Sequence, residues 1–239
     1  MVFAAFVAVN TLGRLPGTLR LTAGFFGLGL LLLTPMVWFQ LLRNLLPRLQ
    51  KETGSHWAGR ALLLAGSAQI FWALFRAPID IDGLLYHLPT SFEALQKNQW
   101  GLWDIPVWQL RNTPKAGEIP ALALVALGGM QDWGLGMGWL FLQLGNFIPV
   151  AIGAAALWEL LEGVKARASI VVFFLLTPLV AKQMASNYVD VSSWCYWLAA
   201  WTLGRKARTP LLFFAAVVLH SSVKASGPLT ALPLLLAWP

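Results

Sequence analysis

Two carboxylates, a tyrosine and a histidine fall within eight residues at Asp80-Ile81-Asp82-Gly83-Leu84-Leu85-Tyr86-His87, directly after an apolar run. Acids at the mouth of a membrane helix are costly to keep unless they face water, a partner charge or a substrate. In an extended segment alternate side chains point the same way, so Asp80 and Asp82 can address one site. Such a pair can hold a divalent cation, Mg or Mn, through oxygen ligands, or can supply one carboxylate as a general base. A solvated acid pair capping a helix accounts for the same residues, and the choice turns on what else shares their side.

Three further groups are expected there. Asn187-Tyr188-Val189-Asp190 opens an apolar run, where an acid suits the positive end of the helix dipole or the mouth of a pocket. Lys224 closes another run, able to meet a phosphate as a point charge or to snorkel to the interface. Arg111, Lys115 and Glu118 surround Thr113-Pro114 in a tryptophan-rich polar stretch. His56 and His220 carry no ligand spacing, and no zinc motif or nucleotide-binding glycine loop is present.

The elements that must position these groups are apolar. Of 239 residues 58% are hydrophobic and 11% charged, far below the roughly 25% charged residues of soluble domains. The composition predicts an integral membrane protein, all-α, built as a polytopic bundle. Spans are expected at about 21–42, 60–77, 135–160, 168–185, 189–204 and 210–226, each near the length a bilayer requires. The segment 228–238 begins another apolar helix too short to span, so the chain is expected to be the N-terminal portion of something longer or a truncated gene product. The whole of 1–239 reads as one transmembrane domain, with 78–134 an external loop of interfacial or re-entrant helices. One cysteine, Cys195, excludes a disulfide framework.

Lys and Arg give the orientation. The loops holding Arg43, Arg48, Lys51 and Arg60, then Lys165 and Arg167, then Arg205, Lys206 and Arg208, all fall on one side if the spans alternate. That side is expected to be cytoplasmic, and Arg14 and Arg20 dissent. Seven of the ten acids then lie on or near the opposite face. The formal charge of +7 is scattered through short loops and gives no nucleic-acid surface.

The order of these features resembles the GT-C superfamily of polytopic glycosyltransferases, particularly the bacterial branch similar to protein mannosyltransferases and lipid A aminoarabinose transferases. The pattern is Asp80-x-Asp82 with Tyr86-His87-x-Pro89, a Trp-rich loop with Pro114 and Glu118, Tyr188-x-Asp190, then Lys224 with Gly227. It covers roughly 60–230, and its motifs are short, so its specificity lies in their order and sidedness. The resemblance implies a cell-envelope enzyme of the bacterial inner (plasma) membrane with its site facing the periplasm or the exterior. Its donor would be a polyprenyl-phosphate sugar and its acceptor a lipid, glycan or protein. By resemblance Asp82, or Asp80, acts as general base in an inverting displacement, and Lys224, Arg111 and Lys115 steady the departing phosphate. Asp190 and Tyr188 help shape the pocket, beside Tyr86, His87 and Glu118. Relatives with and without a metal exist, so the cation stays open. Members of the family usually have more spans than the 239 residues are expected to hold, and often a C-terminal periplasmic domain, so these residues can carry the catalytic acids without a complete active site. A transporter with acids lining its pathway, or a non-catalytic membrane subunit on the same scaffold, are the alternatives.

Overall fold

The computed structural model describes residues 28–75, 88–98, 145–184, 189–206, 210–224 and 226–236. Within them the chain is all-α, with nine helices and no strand. They are α1 (Leu28–Thr53), α2 (His56–Phe75), α3 (Leu88–Lys97), α4 (Phe147–Leu160), α5 (Arg167–Leu176), α6 (Pro178–Met184), α7 (Asp190–Lys206), α8 (Pro210–Ser221) and α9 (Gly227–Leu236).

The predicted run 168–185 is not one straight helix. It breaks at Thr177, whose ψ is 128°, and α6 leaves α5 at 59°. The cause is Pro178, which lacks an N–H and pushes the preceding residue out of the helical region. The run expected to reach 226 also stops early, at Ser221, so Lys224 lies in a turn and not on a helix. Among the described residues no single helix is long and apolar enough to cross a membrane, and only the bent pair α5–α6 passes by length and composition. Of the segment 78–134, the described portion holds α3, a short helix with a Glu93–Lys97 pair of 2.5 Å.

The core is centred on α7, which packs against α4 on one side and α8 on the other. Small residues allow the first contact. A Cβ placed on Gly153 would lie 2.8 Å from the Cβ of Cys195 and 3.1 Å from its Cα, so only glycine fits there. One buried cluster joins α1, α4, α5 and α7 through Leu45, Val150, Ala154, Val171 and Cys195. A second joins α7, α8 and α9 through Ala200, Phe213, Val217 and Leu234.

Side-chain contacts fix which helix ends lie together. At one end, Arg48 of α1 donates to the carbonyl of Val164 (3.2 Å), and Lys206 of α7 meets Glu159 (2.7 Å) and Glu162 (3.0 Å). Glu52 takes the place of a missing cap here. The residue before α5 is Ala166, which has no side-chain acceptor, and the Glu52 carboxylate instead receives the backbone N–H groups of Ala168 (3.0 Å) and Ser169 (2.9 Å). A carboxylate at a helix N-terminus satisfies otherwise orphaned donors and faces the positive end of the dipole. At the other end, the starts of α4 and α7, the end of α6 and the turn after α8 come together.

Candidate functional site

The second end is where polar side chains penetrate the helices. Asn146, just before α4, donates from Nδ2 to the carbonyl of Gln183 (2.9 Å) and accepts at Oδ1 from the Ser192 hydroxyl (2.7 Å). Gln183 in turn accepts the Val191 N–H at Oε1 (2.7 Å) and donates from Nε2 to Asp190 Oδ2 (3.3 Å). An amide from α6 thus caps the first turn of α7. Asp190 is left free to turn its second oxygen outward.

That oxygen meets Lys224. The Lys224 ammonium donates to Asp190 Oδ1, joining the start of α7 to the turn after α8. Both side chains are 39% exposed, so the pair is accessible from outside the helices. Next to it, His220 ties three helices. Its Nδ1 lies 2.9 Å from the carbonyl oxygen of Ser193, which can only accept, so Nδ1 carries the proton. Nε2 then faces the Thr230 hydroxyl at 2.8 Å as acceptor. Trp197 Nε1 donates to the carbonyl of Thr230 (3.2 Å), closing the same corner.

A cavity of about 340 Å³ opens among these groups, lined by Asp190, Ser193, Trp194, His220, Lys224 and Thr230. A second, about 620 Å³ and more apolar, runs between α6 and α7 and also touches Asp190, Trp194 and Trp197. Asp190 therefore borders both. Along α7, Trp197 stacks on Trp201 at 5.6 Å and meets Trp194 edge-on at 6.2 Å, giving the cavity an aromatic wall. The chemistry available is a cation held beside an anion, hydroxyls, an imidazole and flat indole faces: a polar head and an apolar body can both find partners.

Of the residues singled out from sequence, Asp190 and Lys224 are described, and they are in contact. Asp80, Asp82, Tyr86, His87, Arg111, Lys115, Glu118 and Tyr188 lie outside the described residues. The idea that Asp80 and Asp82 hold a cation lies there as well. Among the described residues no three His, Cys, Asp or Glu side chains converge in a way that would hold a metal. Sequence reasoning passed over Asn146, Gln183, Ser192, Ser193 and Thr230, and gave His220 no role. Their shared signal is polarity inside apolar stretches, and each is buried or hydrogen-bonded across helices. No protein-family model, curated protein or solved structure matches the chain.

Proposed function

We propose that this protein is a polytopic membrane glycosyltransferase that moves a sugar from a polyprenyl-phosphate donor to an acceptor hydroxyl on the extracytoplasmic side. The observation that carries the reading is the Asp190–Lys224 pair. It sits at the end of the bundle opposite Arg48, Arg167 and Lys206, half exposed at the lip of a cavity with an aromatic wall. The basic residues expected in loops lie mostly on helix ends, Arg48 and Lys51 in α1, Arg60 in α2, Arg167 in α5 and Lys206 in α7. Reading that end as cytoplasmic gives the pair and its cavity an outward face. Large apolar side chains turned outward, such as Met36, Phe39, Phe173 and Leu211, support the bilayer setting.

In this reading Lys224 exchanges part of its contact with Asp190 for the donor phosphate and steadies the charge that develops as it leaves. Arg111 and Lys115 add to that field. Asp82, with Asp80 beside it, takes the proton of the acceptor hydroxyl. The acceptor oxygen bonds to the anomeric carbon, the bond from that carbon to the phosphate oxygen breaks, and the lipid phosphate departs from the opposite face. The centre inverts. Tyr86, His87, Glu118 and Tyr188 complete the pocket. A divalent cation at Asp80 and Asp82, if one binds, would add positive charge at the departing phosphate.

The test is transfer of labelled sugar from a polyprenyl-phosphate donor in membranes carrying the chain. Asp82→Asn is expected to abolish transfer while membrane insertion stays at the wild-type level, and undiminished transfer would remove Asp82 as base. A purified protein that neither binds nor consumes the donor points to a non-catalytic subunit.

One observation favours transport: the break between α5 and α6, since interrupted helices mark substrate sites in transporters. Such a break serves transport when its polar groups line a path. Here the Thr177 hydroxyl turns back to the carbonyl of Phe173 (2.7 Å), and the flanking Leu176 and Leu179 are exposed. The Thr177 hydroxyl is thus spent within its own helix, the Gln183 amide of α6 is engaged with Asp190 and the Val191 N–H, and sugar transfer remains the better reading.

A further inference from the structure

A groove of about 650 Å³ lies between α1 and α4, far from the pair at the other end. Leu33, Met36, Val37 and Phe39 make its apolar length, and Gln40, Asn44 and Glu159 make it polar toward the end that holds the basic loops. At 100° per residue Arg43 stands on the same edge of α1 as Met36 and Phe39, one turn further toward that end. Arg43 is exposed and makes no ion pair among the described residues. Glu159, the acid at the groove, is met by Lys206 at 2.7 Å, an ammonium it shares with Glu162 at 3.0 Å, and by Arg167 at 3.8 Å. Arg43 is not itself part of the lining, but it lies on α1 between the lining residues Gln40 and Asn44, and so sets a positive charge with no ion pair among the described residues beside the polar end of the furrow.

We infer that this groove binds one anionic glycerophospholipid, its acyl chain along Leu33, Met36 and Phe39 and its headgroup phosphate on Arg43. The inference rests on the membrane reading above, because the occupant comes from the bilayer. Shape selects a chain-bearing molecule, and charge selects the headgroup. A zwitterionic lipid fills the same furrow and gains less at Arg43, since a basic side chain at the membrane surface attracts anionic lipid. Amphiphile and groove match in polarity from end to end.

Native mass spectrometry of the full chain, released from detergent with equal phosphatidylglycerol and phosphatidylcholine, reads the inference directly. One phosphatidylglycerol is expected to be retained in preference, and Arg43→Gln is expected to lower that retention about fivefold. Met36→Trp, which fills the furrow, lowers retention of both lipids. Arg43 is solvent-facing, so its replacement leaves the core intact, and a melting curve checks that for both variants. A photoreactive residue replacing Phe39 is expected to crosslink to phosphatidylglycerol. Equal retention of the two lipids, no effect of Arg43→Gln, or a crosslink to another part of the chain overturns the inference. Those results leave the sugar-transfer reading untouched, whereas recovery of the chain in the aqueous fraction of cells overturns both.

Discussion

Asp190 and Lys224 are each 39% exposed, which sets how much their pairing can stabilise the fold. An ion pair of that exposure contributes at most about 1 kcal/mol. Lys224→Met is therefore expected to move the melting curve little while reducing sugar transfer about a hundredfold, the size of effect that follows loss of a charge-stabilising group. Combining it with Asp190→Asn separates the roles. If the lysine only neutralises the aspartate, the doubly uncharged protein regains transfer; if Lys224 meets the donor, it stays inactive. Both residues were legible in the sequence as charges at the ends of apolar runs. Their contact was not, because 34 residues separate them and the contact depends on how α7 and α8 pack. His220 was less legible still. One histidine in an apolar helix has no periodic signal, and its partners Ser193 and Thr230 come from two other helices.

Helix ends and crossings were harder to read than helix existence. The Thr177-Pro178 step carries a local signal for a break, yet the apolar run over 168–185 outweighed it in a reading by length. Gly153 carries a similar hidden instruction. Gly153→Ala would drive a Cβ to within 2.8 Å of Cys195 Cβ and is expected to cost about 1–3 kcal/mol, the usual penalty of overpacking. Thermal melting checks this, and Cys195→Gly in the same chain should cost less than the sum of the two changes. Glu52 makes a second prediction, one that depends on pH. Burial alone would raise its pKa, but hydrogen bonds from Ala168, Ser169 and Arg48 outweigh burial and hold the carboxyl below its ordinary 4.5. A group depressed in the folded state stabilises above its unfolded value, and that contribution is lost as pH falls through the folded value. Stability should therefore decline below about pH 4.5, and Glu52→Gln should flatten that limb while lowering stability near neutral pH by about 1–3 kcal/mol. No local reading of α5 could have found this cap, because Glu52 lies 116 residues before Ala168.

Across the whole molecule the contacts make the two ends chemically unlike. Glu52, Glu159, Lys206 and Arg167 interlock at one, and Asn146, Gln183, Asp190 and Lys224 at the other, with the 17 residues of α7 spanning about 25 Å between Asp190 and Lys206. The sidedness drawn from Lys and Arg in the sequence needs this arrangement, since three basic stretches distant in sequence, the first of them helical in α1 and α2, must lie at one end. Arg48 with Val164 joins the first to the second, and Lys206 with Glu162 joins the second to the third. Whether a bilayer lies between the ends is open to direct measurement, because the only native thiol, Cys195, is buried. Lys165 and Ser226 are exposed, one at each end. In intact cells a membrane-impermeant maleimide is expected to label Ser226→Cys and to spare Lys165→Cys until the cells are opened. The same reagent should leave the parent chain unlabelled in both conditions. Labelling of both positions from outside would mean that no membrane separates the ends. Labelling of Lys165→Cys alone would turn the Asp190–Lys224 pair toward the cytoplasm and remove it from any reaction with an extracytoplasmic acceptor.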